Sequence, residues 1–325
     1  EFRLAAICGL NIIVSPDHLE ELVSHYEIHG HFEELIKLME QGLGLEGAHT
    51  GIFTELGVLY CKYKPEKLME HIKIFSGRIN IPKLLRACEA SRNWEEATYL
   101  YIANEEFDQA VRTMMNHPSG AWDDDKFMDC IQKVRNQELY YKAISFYIEV
   151  HPGGLIKLLK LLTPSLEHSR VVHQLRKADQ LPLAMPYLRD VQGENVSAVN
   201  EAVNELLVEE EDFDGLRISI DEHDNFDQID FAQKIEKHEL LEFRRIAAYV
   251  YRKNRRFSQS VALSKRDKMY KDAIDTAAES EDCDVVEDLL KYFVFDAADK
   301  ECFTATLYTC YALVKPDVVM ELAWR

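Results

Sequence analysis

Apolar residues recur along this chain at the i, i+3, i+4 spacing of one helical face, in many short runs rather than a few long ones. That spacing predicts amphipathic helices of roughly 10 to 16 residues, an ordinary length in globular proteins. Turn chemistry separates the runs at Ser15-Pro16, Gly42 to Gly47, Lys64-Pro65, His117 to Gly120, His151 to Gly154, Thr163-Pro164, Leu181 to Gly193 and Lys315-Pro316. No segment sustains the alternation of a half-buried strand. The pattern therefore predicts helices throughout.

Within it a unit recurs: an aromatic, two polar residues, a small residue, then an apolar or β-branched one. It reads Trp94 to Thr98, Phe107 to Val111, Phe257 to Val261 and Tyr270 to Ile274. The first two aromatics are 13 residues apart, the last two also 13, and the second pair follows the first by 163. Looser copies begin at Phe32, Tyr140 and Phe213. The spacing puts the three side chains on one face, and the small residue lets a neighbouring helix approach. We expect Trp94, Phe107, Phe257 and Tyr270 to be buried between hairpins. Hairpins that cannot bury such a face alone must stack, so the expected fold is all-α: a right-handed α-solenoid, or superhelix, of stacked short helical hairpins. The breaks between 151 and 164 fall between the duplicated pairs and mark the expected boundary.

The length of 325 residues exceeds what one compact core usually covers, which suits an array. No apolar stretch approaches the roughly 18 residues of a membrane span, and no signal segment opens the chain, so direct membrane insertion is not expected. The start at Glu1 without Met and the end at Arg325 suggest a piece of a longer protein. Seven cysteines with no Cys-x-x-Cys pair read as reduced, buried thiols of a cytosolic protein.

The formal net charge of −19 argues against nucleic acid as a partner. The charge is uneven. From Arg244 to Lys271 ten basic residues face one acid, a local balance of +9, against −28 over the other 297 residues. Such a strip is either a docking surface for an acidic partner or a solvated face that balances neighbouring carboxylates.

No motif points to catalysis, a cofactor or a metal. Gly42, Gly44 and Gly47 fit a dinucleotide fingerprint, but a helical pattern precedes them where a strand is needed. His25, His29 and His31 lack a cysteine or aspartate to complete a metal site. Asp221 to Phe226 resembles the start of a calcium loop, but Phe226 stands where that loop needs Gly and Ala232 where it needs Glu. Paired acids such as Glu33 and Glu34 suit helix first turns, where the dipole favours them. An enzyme is not expected.

Several segments carry a resemblance: Ile79 to Arg86, Met114 to Pro118, Glu138 to Tyr141, Gln180 to Leu183 with Pro186 to Arg189, Ser219 to Asp221 with Asp224 to Asp227, Glu236 to Leu240 with Glu242 to Tyr249, and Pro316 to Val319 with Ala323 to Arg325. Together they resemble the clathrin heavy-chain family, end to end, in its proximal leg and the start of its trimerisation region. The resemblance implies the end of a preceding repeat at 1–9, heavy-chain repeats at 10–156 and 159–303, and the trimerisation region from 304 to 325. It also implies a structural coat role in endocytosis and intracellular trafficking, on the cytoplasmic face of coated pits and vesicles. The implied partners are the acidic clathrin light chain and other heavy chains, as a homotrimer and in the lattice. A scaffold subunit of a vesicle tethering or sorting complex is the alternative.

By resemblance, Lys62 stands at a basic position that regulates assembly through the light chain, and His151 replaces a second such lysine. His168 is a histidine linked to pH-sensitive leg contacts; two others of that set appear here as Ser15 and Glu194. Cys310 matches a cysteine of the trimerisation region. Charge adds Arg244, Arg245, Arg252, Lys253, Arg255 and Arg256 to the expected light-chain site. The apolar run from Val285 to Tyr311 exceeds what one terminal hairpin can bury, so Phe293, Phe303, Leu307, Cys310 and Tyr311 are expected to self-associate around a hub.

Overall fold

The computed structural model describes residues 8–323 except Asn11 and Glu46. Trp324 and Arg325, which carry part of the resemblance, lie outside the described residues, as does most of the 1–9 segment. Among the described residues every element is a helix, from Pro16–Ile28 through to Pro316–Ala323, and none is a strand. The proline breaks act as helix starts: Pro16, Pro118 and Pro316 each open an α-helix, and Pro65, Pro152 and Pro182 each open a 3-10 turn. Proline is preorganised there, and its missing N–H would have had no helical partner. Other starts are held by side-chain caps. Asn80, Asp123, Asp212, Asp227, Asp282 and Asp299 each accept from a backbone N–H of the first turn.

The recurring aromatic unit turns out to be a helix start of a particular kind. Trp94, Phe107, Phe213, Phe257 and Tyr270 are each the first residue of a helix. Two positions before each of them the backbone is left-handed, at Arg92, Glu105, Glu211, Arg255 and Lys268, with φ between 58° and 61°. Gly30 occupies the same place before Phe32, with φ of 73°. In each case the next amide reaches back five residues, as in Asn93 N–H to the Cys88 carbonyl (2.9 Å) and Arg256 N–H to the Tyr251 carbonyl (2.8 Å). This Schellman closure leaves one N-cap residue before the next helix begins.

The expected burial of the aromatics is corrected by this geometry. Trp94, Phe107, Phe257 and Tyr270 are half-buried, while the small residues three positions on, Ala97, Ala110, Ser260 and Ala273, are 0–1% exposed. A side chain at the first helical position leans toward the N-terminus, over the turn it has just left, rather than into the space between helices. Trp94 instead stacks on His117, with ring centroids 3.6 Å apart.

The chain divides into two compact units, residues 1–166 and 167–325, a few residues beyond the expected boundary. In the first, helix Phe32–Gly42 packs on Thr50–Tyr63, that on Ile81–Ala90, then Trp94–Ala103, Phe107–Asn116 and Asp124–Ile131. In the second, Ser197–Glu209 packs on Phe213–Glu222, and Gln228–Ile235 begins a run through Leu241–Lys253, Phe257–Arg266 and Tyr270–Glu279. Contact with sequence neighbours is the mark of a solenoid. Side chains 27 residues apart meet repeatedly across these stacks, as in Lys67 with Glu40, Gln192 with Ser219 and Arg245 with Asp272. That offset is about two of the 13-residue helix-and-turn steps, one hairpin.

Candidate interaction surfaces

Lys62 lies in the last turn of helix Thr50–Tyr63, where a cation also favours the helix dipole. Its Nζ is 2.8 Å from Glu27 Oε1, and 44% of its side chain stays exposed. The bond to Glu27 raises the lysine pKa, keeping the charge fixed and at the surface. Tyr63 beside it stacks on Phe32 (4.1 Å). Lys62 is thus a presented cation with an internal acidic competitor, a partner that only the fold reveals.

His151 is not presented in the same way. It ends helix Gln137–Val150 and stacks on Trp122, with centroids 4.8 Å and planes 14° apart, beside Phe146 and Tyr147. Its ring packs into an aromatic cluster, where a lysine would have to extend past it.

Five of the strip's ten cations pair with carboxylates of the same chain. Arg244 bonds Asp267 Oδ2 (2.8 Å) and the carbonyls of His238 and Glu239, at 20% side-chain exposure. Arg245 pairs with Asp272 (3.0 Å) and Arg252 with Glu279, each 27 residues away on the next hairpin. Lys253 reaches the Ile220 carbonyl (2.8 Å) and Asp221 (3.6 Å). The +9 balance is therefore a property of the sequence window, because most partners lie just outside it. Arg255 and Arg256, at the turn before helix Phe257–Arg266, and Lys268 and Lys271 beyond its end are exposed, as are the paired Arg245, Lys253 and Arg266.

Arg217, Arg245 and Arg252 line a groove of about 330 Å³ between helices Phe213–Glu222, Leu241–Lys253 and Tyr270–Glu279. Its walls also hold Asp214, Glu242 and Asp272, so it carries both signs. His168 is 7% exposed, set between the Tyr187 hydroxyl (2.7 Å from Nδ1) and Glu194 (Nε2 to Oε2, 3.0 Å). It is an interior residue of its unit.

At the C-terminal end the five expected hub residues divide. Phe293 and Cys310 are 1% and 2% exposed and belong to the core formed by Val286, Leu289 and Leu290. The helix Cys283–Phe295 buries them against Tyr270–Glu279 and Lys300–Thr309, so they are not available to another copy. Phe303 and Leu307 are half-buried against the same core, and Tyr311 is 78% exposed. Tyr308, in the same apolar run but not among those five, is 80% exposed, three residues from Tyr311. Among the described residues no cluster of histidine, cysteine or carboxylate could hold a metal, and no helix is long and apolar enough to cross a membrane.

A family model described as the region in clathrin and VPS matches residues 10–154 and 159–301. Clathrin heavy chain 1 of Oryza sativa subsp. japonica is 60% identical over 324 residues, all of this chain and 19% of that protein. The clathrin heavy chain of Dictyostelium discoideum is 56% identical, and clathrin heavy chain 2 of Homo sapiens 53%, each over the whole of this chain. The chain spans about a fifth of the length of these curated relatives.

Proposed function

The chain belongs to the clathrin family, and from that premise we propose that it is the proximal-leg segment of a clathrin heavy chain, with a structural role in coated pits and vesicles. The observation that carries this reading is identity of 53–60% to heavy chains along its entire length. The family description also covers VPS proteins, which would suit a tethering or sorting scaffold, but the relatives matched end to end are heavy chains. The architecture suits a leg. In stacked hairpins each repeat is buried by its sequence neighbours, so a leg can be built repeat by repeat.

Two surfaces give the role its contacts. Clathrin light chain, an acidic partner, docks at Lys62, displacing Glu27, with Arg255 and Arg256 as additional exposed cations. Arg244, Arg245, Arg252 and Lys253 hold helices of the second unit together. Self-association at the hub uses the exposed Tyr308 and Tyr311 with Phe303 and Leu307, a closed symmetric assembly of three copies. A chimaera tests the role as a whole. A Dictyostelium heavy chain whose matching fifth is replaced by this chain should assemble into pelletable coats and restore uptake in cells lacking their own heavy chain. A chimaera that folds as a soluble protein but never enters coats would remove the leg assignment.

A further inference from the structure

Helices Thr50–Tyr63 and Ile81–Ala90 pack together, and near the end of each a cysteine meets the other. The sulfurs of Cys61 and Cys88 are 3.5 Å apart, 27 residues apart in sequence, and joined by a thiol hydrogen bond. Cys61 is 4% exposed, Cys88 0%, and both are free thiols. A third helix converges on this point, because Asn93, the N-cap of Trp94–Ala103, donates from Nδ2 to the Cys61 carbonyl (3.1 Å).

We propose that Cys61 and Cys88 form a modification site at which a hydroperoxide produces an intramolecular disulfide, stapling the two helices. A disulfide needs sulfurs about 2.05 Å apart, so closure asks each side chain for less than about 1 Å of movement. The two thiols have unequal roles. The hydrogen bond from Cys88 holds the Cys61 thiol below its ordinary value, while that bond and burial push Cys88 up. Cys61 is therefore the attacking sulfur, since the thiolate is the nucleophile.

The Cys61 thiolate attacks one peroxide oxygen; the sulfur–oxygen bond forms, the oxygen–oxygen bond breaks, and the departing alkoxide or hydroxide takes up a proton. Cys61 is then a sulfenic acid. Cys88, giving up its proton, attacks the Cys61 sulfur; the sulfur–sulfur bond forms and the hydroxide leaves as water. Two thiols lose two electrons and two protons, and the hydroperoxide is reduced to an alcohol, or water, plus water. The bond would link helices Thr50–Tyr63 and Ile81–Ala90 covalently.

The test uses the whole 325-residue chain. After hydrogen peroxide treatment and trapping of free thiols with N-ethylmaleimide, digestion without reductant should yield a peptide pair joined through Cys61 and Cys88, lost on adding dithiothreitol. In Cys88→Ser the pair should vanish and Cys61 should instead label with dimedone as a sulfenic acid. Exposed Cys8 serves as the internal reference. Recovery of Cys61 and Cys88 as maleimide adducts once Cys8 is fully oxidised would overturn the proposal, as would a bond from Cys61 to any other cysteine.

Discussion

At Arg92, Glu105, Glu211, Arg255 and Lys268 a residue with a side chain holds a left-handed backbone that costs an L-residue about 1–2 kcal/mol relative to the right-handed one. Glycine avoids that cost but loses more freedom on folding, which offsets part of the gain. We expect Lys268→Gly to stabilise the chain by up to about 1 kcal/mol. Gly30→Ala should destabilise it by a similar amount, because a β-carbon there would touch nothing within 4 Å and only the backbone changes. Urea midpoints check both; opposite signs to these would mean the turns are not what sets the helix ends. These turns were invisible in the sequence because none but Gly30 carries the residue that usually marks them. The proline breaks, by contrast, were legible, since proline restricts the chain wherever it stands.

His71 gives a prediction on pH at the same scale. It is 4% exposed, donates from Nε2 to the Phe53 carbonyl (2.8 Å), and burial lowers its pKa below the ordinary 6.5. The neutral form is favoured in the folded chain. Its contribution is therefore present above about pH 6.5 and is lost as pH falls toward the lowered folded value, where the unfolded chain takes up a proton first. His71→Gln keeps a donor and removes the titration. Unfolding measured from pH 7.5 down to 5 should show a shallower loss of stability in the variant, and identical slopes would contradict the assignment.

At the scale of the helix, the recurring unit places its tightest constraint on the small residue rather than on the aromatic. Ala110 has no exposed surface and sits on helix Phe107–Asn116, which packs against Trp94–Ala103 and Asp124–Ile131. Ala110→Leu should cost about 1–3 kcal/mol through overpacking. Trp94→Ala should cost less than the roughly 3–5 kcal/mol of a fully buried aromatic, because Trp94 caps a turn and stacks on His117. Chemical denaturation of the two variants would reverse this picture if Trp94 proved the costlier loss. The period was readable from sequence; which member of the unit goes inside was not, because burial depends on where the helix starts. The pairing within the basic strip was hidden for a related reason. Arg245 and Arg252 find their acidic partners on the next hairpin, and complementary charges 27 residues apart, as at Arg245 and Asp272, were the signal to look for.

At the scale of the whole molecule, nearly all of the fold class followed from the sequence, whereas the interaction surfaces did so only in part. Lys62 is a half-exposed cation paired with Glu27, whereas Phe293 and Cys310 are claimed by their own unit's core and Tyr308 is exposed. Tyr308→Ser with Tyr311→Ser should leave the fold intact, since both side chains are about four-fifths exposed, while lowering the mass of an assembly extended through the hub from trimer to monomer. A trimer that survives both changes would place the hub surface elsewhere. Whether this leg segment carries a light chain is read from sedimentation of the chain with purified clathrin light chain. A one-to-one complex that weakens with salt and with Lys62→Glu is expected. Two species sedimenting independently at low salt would contradict it.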